Sequence, residues 1–292
     1  MEMAYYPGCS LQQSSGLYDV QSRKVFAELG APLREIEDWN CCGATSAGKV
    51  NDFLSVAMAA RNIGIAEAAG FEEMVIPCSA CYSRTMVAKQ RMADNPGMAA
   101  EINAELSTPV RGTLKVRSVL EGLLTLSAAG AFKERVKNRL GGLQPVCYYG
   151  CMLTRFPFDV PVPDDVENPR GMETVLEALG IRAIDWNFKT YCCGASAAVN
   201  DPDTAMNLMG RIMGDAVARG ANCFVVTCPM CQMNLDAHQE TFCAKAGIEE
   251  RLPVYFLTEL VGVGLGLSPE ELQVDRHFVD GATLLKELEH DE

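Results

Sequence analysis

The sequence is poor in the residues that mark several common chemistries. It holds 3 histidines and 2 tryptophans in 292 residues, and 25 basic side chains stand against 38 acidic ones, a net charge of −13. That balance leaves no basic face for a phosphate backbone and excludes a nucleic-acid partner. No stretch approaches the roughly 20 unbroken apolar residues of a membrane span. The opening MEMAYYPGC has no basic segment followed by an apolar run. Neither a span nor a secretory leader is therefore expected, and the chain is assigned to the cytoplasm. No glycine-rich phosphate motif follows a predicted strand in the required form, so direct nucleotide or flavin binding is not expected.

What the chain has instead is cysteine, 13 in all, ten of them in two copies of one pattern. The first copy is Cys9, Cys41-Cys42 and the pair Cys78/Cys81; the second is Cys151, Cys192-Cys193 and Cys228/Cys231. Between the adjacent pair and the Cys-x-x-Cys lie 35 residues in one copy and 34 in the other. Flanking text repeats as well: Phe26-Ala-Glu-Leu-Gly against Leu176-Glu-Ala-Leu-Gly, Asp38-Trp39 against Asp185-Trp186, and Val50-Asn51-Asp52 against Val199-Asn200-Asp201. Repetition on this scale indicates a duplicated unit and two similar sites. In a reducing cytosol such thiols are metal ligands or redox groups more often than disulfides.

Apolar patterning predicts strands at Met3 to Tyr6, Leu33 to Trp39 and Glu73 to Pro77, each leading to a cysteine, with helices over Gly16 to Leu29 and Asp52 to Ala69. The second unit repeats this with strands at Cys147 to Tyr149, Arg182 to Trp186 and Cys223 to Thr227. Met98 to Leu106 and Val116 to Leu126 read as helical. The predicted fold is α/β, two similar repeats at residues 1–143 and 144–292, joined near Gly141-Gly142. Each is a small parallel sheet flanked by helices, with the cysteines at the carboxyl ends of the strands, where open α/β sheets bind ligands. Asp159 to Arg170, with Pro157, Pro161, Pro163 and Pro169, reads as an irregular excursion, a lid or partner contact in one reading and surface decoration by default. The segment after Leu260 reads as an amphipathic, acidic tail without chemistry.

Five thiolates per unit exceed the four that a structural zinc or a cubane [4Fe–4S] cluster takes. Adjacent cysteines in a strand point to opposite faces, so both reach one centre only from a turn. Gly43 and Gly194 supply that turn, and an open or enlarged iron–sulfur cluster fits the count best. Cys147, roughly 13 Å of extended chain from Cys151, is expected to be structural, and Cys223 and Cys243 to lie in the core. Trp39 and Trp186 serve equally as a water shield or as ordinary packing. His238, His277 and His290 do not recur between the repeats and are expected to face solvent. Lys49, Arg84, Arg155 and Lys189 lie near cysteines where they could meet an anionic thiol, with surface solvation as the default.

The doubled Cys, Cys-Cys-Gly, Cys-x-x-Cys pattern, opened by Tyr5-Tyr6-Pro7-Gly8-Cys9, resembles the cysteine-rich "CCG" domain pair found in the B subunit of heterodisulfide reductase. Related pairs occur in iron–sulfur subunits of thiol:fumarate reductase, of glycolate and lactate oxidation systems, and of anaerobic glycerol-3-phosphate dehydrogenase. The resemblance covers residues 3 to 260. It implies that Cys9, Cys41, Cys42, Cys78 and Cys81 hold one noncubane [4Fe–4S] cluster. Cys151, Cys192, Cys193, Cys228 and Cys231 would hold a second that faces it, with a disulfide reduced to two thiols between them. It further implies two partners in a complex, a ferredoxin-like iron–sulfur subunit (of the C type) and a flavin-containing subunit (of the A type). Around Cys151 the chain reads Cys147-Tyr-Tyr-Gly-Cys-Met152, as in bacterial homologues, where the methanogen enzymes are expected to carry histidines. The disulfide, small or protein-borne, is accordingly expected to differ from that of coenzymes M and B. Two other readings stand beside this one: an electron-transfer subunit of a hydroxy-acid or related dehydrogenase, and a scaffold with zinc in one site.

Overall fold

The computed structural model describes residues 2–44, 46–133, 135–137, 140–157 and 160–290, with side chains to residue 287. The first half runs β1 (Met3–Tyr5), α1 (Gly8–Gln12), α2 (Gly16–Glu28), β2 (Leu33–Glu35), α3 (Ala47–Val50), α4 (Asp52–Ala68), β3 (Glu73–Ile76), α5 (Ser79–Asp94), α6 (Pro96–Glu105), β4 (Lys115–Ser118) and α7 (Val119–Ala128). The second runs β5 (Pro145–Tyr148), α8 (Gly171–Ala178), α9 (Pro202–Ala218), β6 (Cys223–Val226), α10 (Pro229–Ala237), α11 (Gln239–Ala246), β7 (Val254–Phe256), α12 (Leu257–Gly264), a 3₁₀ turn (Val274–Arg276) and α13 (Ala282–His290). Two wholly parallel sheets result, ordered β2-β1-β3-β4 and β5-β6-β7. The fold is thus α/β with two repeats, as expected.

The central strands are apolar and buried, Met74-Val75-Ile76 in β3 and Cys223 to Val226 in β6, because helices cover both faces of a parallel sheet. The repeated Val-Asn-Asp text caps the long helix of each half. The Asn51 side chain accepts from Leu54 N at 2.9 Å for α4, and Asp201 from Thr204 N at 3.2 Å for α9. Each cap satisfies a backbone donor that the first helical turn leaves free. Between the halves, α2 packs on α12 and α7 on α8, so each half lends a helix to the other.

Three expectations are corrected. Val116 to Leu126 is not one helix: Lys115–Ser118 pairs with β3, and α7 begins at Val119 behind a Ser118/Glu121 capping box. Val116 is buried and Arg117 half exposed, a two-residue alternation too short to outweigh the leucines that follow. Arg182 to Trp186 forms only a bridge between Ile184 and Val146. Finally, β2 stops at Glu35, since Asp38 adopts a left-handed φ of 55° that turns the chain towards Cys41.

Candidate iron–sulfur site

Each cysteine group of the doubled pattern lies beyond a strand, except Cys192-Cys193, which follows only the Ile184 bridge. Cys9 lies in the first turn of α1 beyond β1, and Cys151 in the turn beyond β5. Cys78 and Cys228 are the N-terminal caps of α5 and α10, and Cys81 and Cys231 point from the first turn of those helices. Both Cys-Cys pairs occupy loops. The two sets share an exposure pattern. Cys9, Cys41 and Cys192 are exposed and Cys151 half-buried, whereas Cys42, Cys78, Cys81 and their counterparts Cys193, Cys228 and Cys231 are buried. Each set therefore offers three sulfurs from inside and two from the rim.

The sulfurs touch in matching pairs. Cys42 and Cys78 both hydrogen-bond Cys81, as Cys193 and Cys228 do Cys231, with 3.8 Å between the Cys193 and Cys231 sulfurs. Cys9 meets Cys41, and Cys151 meets Cys192. A neighbouring thiol that keeps its proton stabilises Cys42, Cys78, Cys192 and Cys193 as thiolates. The Cys81 contact brings the Cys78 thiol down to about 6 and also lowers Cys42. In the second set the Cys151 contact brings Cys192 to about 6, and the Cys231 contact lowers Cys193. Cys81 and Cys231 are pushed up by those same contacts. Thiolates are the form that binds metal.

Backbone geometry shapes both cradles alike. Gly43 and Gly194, at φ +72° and +78°, turn the chain so that their N–H groups donate to the Cys41 and Cys192 sulfurs at 3.4 and 3.3 Å. Gly8 and Gly150, also left-handed, let the Cys81 and Cys231 sulfurs approach to within 2.8 Å of where a Cβ would stand. Behind each pair a buried phenol fixes the loop. Tyr6 donates to the carbonyl of Asn40 at 2.9 Å and Tyr148 to that of Tyr191 at 2.6 Å, each carbonyl belonging to the residue just before the cysteines. Trp39 and Trp186 pack edge-on or tilted against these tyrosines, at 5.4 and 6.2 Å between ring centres, so their role is to brace the phenols. A polynuclear sulfide-bridged group suits this donor set of five sulfurs, one of which in each half accepts a backbone N–H bond. Among the described residues, no group of three or more His, Cys, Asp or Glu side chains is arranged to hold a single metal ion.

Cys147, Cys223 and Cys243 lie wholly in the core. Burial raises all three thiols, which keeps them protonated. Arg84 reaches the Ala44 carbonyl beside the first pair at 3.5 Å, Arg155 reaches Thr190 Oγ1 at 3.4 Å, and Lys49 is exposed.

Two side chains expected at the surface are buried. Lys189 is 2% exposed and pairs with Glu173 at 2.7 Å, a carboxylate that also accepts from the Tyr149 hydroxyl. The Lys189 carbonyl takes the N–H groups of Tyr149 and Gly150 at 2.9 and 3.1 Å, which draws this loop under the Cys151 turn. The first half has no such group, since the register that aligns Cys9 with Cys151 sets Pro7 against Tyr149. His277 is the second: it lies buried 2.8 Å from Glu259. The tail therefore folds back onto α12, whose eight residues are all buried. His238 is half-buried, and the His290 side chain falls outside the described residues. No sequence signal marks Lys189 or His277, because their partners lie 16 and 18 residues away and do not recur between the repeats.

The irregular segment is more than decoration. Asp159 falls outside the described residues, but Pro163, Asp164 and Arg170 wall a cavity of about 210 Å³ between the halves. Leu120, Leu124 and Leu153 line it, with Glu121 from one half and Tyr149 and Thr154 from the other.

The profile of a cysteine-rich domain family, CCG, matches residues 3–84 and again 146–236. The chain is 33% identical over 290 residues to the membrane anchor subunit of the 8-methylmenaquinol:fumarate reductase of Wolinella succinogenes, covering 97% of this chain and 99% of that one. It is 28% identical over 293 residues to the B subunit of the ferredoxin:CoB-CoM heterodisulfide reductase of Methanosarcina mazei, covering 98% and 97%. A protein of Archaeoglobus profundus, described as similar to the heterodisulfide reductase B subunit, is 28% identical over 274 residues, with 91% of each chain covered. Among solved structures, a hypothetical protein from Helicobacter pylori superposes with a TM-score of 0.75 at 10% identity, a likeness of fold alone. The match covers 95% of this chain and about half, 51%, of that one. Among the described residues no helix is long and apolar enough to cross a membrane.

Proposed function

The chain belongs to the CCG cysteine-rich domain family, with the domain present twice, and from that premise we propose that it is an iron–sulfur redox subunit that reduces a disulfide to two thiols. Cys9, Cys41, Cys42, Cys78 and Cys81 would hold one noncubane [4Fe–4S] cluster, and Cys151, Cys192, Cys193, Cys228 and Cys231 the second. Such a group, when bound, supplies single electrons and an iron that takes a sulfur ligand. Splitting a disulfide needs two electrons, which matches two one-electron centres in one chain. The observation that carries this reading is the repetition of one cradle, sulfur by sulfur and glycine by glycine, in both halves.

The residues here prepare the sites. The buried trios hold sulfur away from water, and the N–H groups of Gly43 and Gly194 stabilise charge on Cys41 and Cys192. The exposed Cys9, Cys41 and Cys192 leave one side of each site open to a substrate sulfur. Electrons would come from two partners, a flavin-containing one and a ferredoxin-like iron–sulfur one. The name of the Wolinella relative supports a second reading, in which the chain passes electrons within another oxidoreductase and has no disulfide chemistry of its own.

Anaerobic purification should yield about eight irons per chain, with an electron paramagnetic resonance signal of the oxidised protein that candidate thiols perturb. Zinc in place of iron overturns both readings. Full iron with a signal indifferent to every thiol leaves the second.

A further inference from the structure

The cavity in the seam between the halves has an apolar wall, supplied by Leu120 and Leu124 of α7 and by Leu153 beyond Cys151. A dry apolar cavity of about 150 Å³ takes up benzene. At about 210 Å³ this one has room for a ring with a short arm. An empty cavity costs stability in proportion to its volume, so space of this size kept between two packed halves calls for an occupant. It is not inherited from the repeated unit. The lone cysteine and the adjacent pair are separated by 31 residues in the first half and by 40 in the second, and the wall residues Pro163, Asp164 and Arg170 come from that longer stretch.

The polar groups of the wall are engaged within the protein, with one exception. The Tyr149 hydroxyl donates to Glu173 and accepts from Met172 N, Thr154 Oγ1 donates to the Gly150 carbonyl at 3.3 Å, and Thr174 Oγ1 to the Arg170 carbonyl at 2.9 Å. Both acids are spent on helix starts. Asp164 Oδ2 accepts from the N–H groups of Arg170 and Gly171 at 3.0 and 2.7 Å, and Glu121 Oε2 from Ser118 N and Oγ at 2.7 and 2.9 Å. The exception is the Arg170 side chain, which is exposed and, among the described residues, forms no hydrogen bond or ion pair. Apolar walls with one unspent guanidinium at the rim match a ligand that is oily along its body and anionic at one end.

We propose that the seam cavity is a binding site for a small monocarboxylate with an apolar body, the body lying among Leu120, Leu124 and Leu153 and the carboxylate on Arg170. Binding makes and breaks no covalent bond, and the site is separate from the cysteine sulfurs, so it does not depend on what they hold. Tyr149, Leu153 and Thr154 belong to the turn that carries Cys151. An occupant packs against that turn and stiffens it, which ties the state of the cavity to the mobility of one rim cysteine of the second set.

The test titrates the full chain, purified anaerobically, with phenylacetate and in parallel with toluene, its uncharged counterpart, by calorimetry. Phenylacetate should bind saturably, raise the melting temperature and slow amide hydrogen exchange over residues 149–155. Arg170→Gln, a change at an exposed side chain, should weaken phenylacetate several-fold and leave toluene unchanged. Leu124→Phe puts a larger side chain into the cavity and should weaken both probes. If that variant does not fold, Arg170→Gln and the exchange measurement decide alone. Failure of the wild-type protein to bind phenylacetate overturns the proposal, as does phenylacetate affinity that Arg170→Gln leaves intact, or that a folded Leu124→Phe leaves intact. Binding without slowed exchange over residues 149–155 places the ligand elsewhere and overturns it too.

Discussion

A methyl group on Gly8 would stand 2.8 Å from the sulfur of Cys81, and the same 2.8 Å separates that position on Gly150 from Cys231. Real side chains essentially never come so close, and a left-handed φ adds about 1–3 kcal/mol of strain to any residue but glycine. Gly8→Ala should therefore cost iron at the first set only and Gly150→Ala at the second only. Iron per chain in each variant is the measurement; full loading of both means the cradle is not set by these glycines.

Among the sulfurs, Cys42→Ser and Cys193→Ser should each lose iron at one half, because both are buried within thiol contacts. Cys223→Ser, remote in β6, should keep the iron complement. Loss of iron from the Cys223 variant would mean that a ligand has been misassigned.

The buried Lys189–Glu173 pair gives a stability prediction. Lys189→Met leaves the Glu173 charge without its partner in the interior and should lower unfolding free energy by about 3–5 kcal/mol. The double variant Lys189→Met/Glu173→Gln should recover much of that loss, since no bare charge is left behind. Denaturant titration of the three proteins decides it. Equal stability of the single and double variants would argue against a buried pair.

His277 sets a pH dependence. Burial lowers its proton affinity, but Glu259 at 2.8 Å, reinforced by Asp236 and Asp275, outweighs that and leaves the folded-state pKa raised. The stabilisation is then complete below the unfolded pKa and lost as pH rises through the raised folded value. His277→Gln should flatten the stability curve over that window. A wild-type curve that rises with pH across it runs against this assignment.

The two phenols should differ in importance. The Asn40 carbonyl held by Tyr6 also accepts from Asn62 Nδ2 at 2.8 Å, so Tyr6→Phe leaves it satisfied. Tyr148→Phe removes the 2.6 Å bond to Tyr191 and should be the costlier change, by about 1 kcal/mol. Paired thermal melts test the order.

Local text carries much of this architecture. The doubled cysteines and most of the strands ahead of them can be read from spacing alone, because periodicity is a property of neighbouring residues; the Val-Asn-Asp text shows its repetition there but not its capping role. β4 and β7 escape such a reading, each being short and running straight into an apolar helix that masks it. Lys189 and His277 escape it too, because a charged side chain is buried only by virtue of a distant partner, and no spacing announces that pairing. The matched glycine cradles are visible in part: Gly43 and Gly194 stand out as turn residues, whereas the closeness of Gly8 to Cys81 depends on two helix N-termini meeting across 73 positions.

The reciprocal exchange of helices has a consequence for how such a protein is made and divided. α12, buried along all eight residues, rests on α2 of the opposite half, while α8 rests on α7. Cutting the chain between the repeats would strip an oily flank from each fragment at once, so the duplicated unit no longer survives as a free-standing module. The first copy therefore completes its packing only when α12, more than 200 positions further along the chain than α2, is in place.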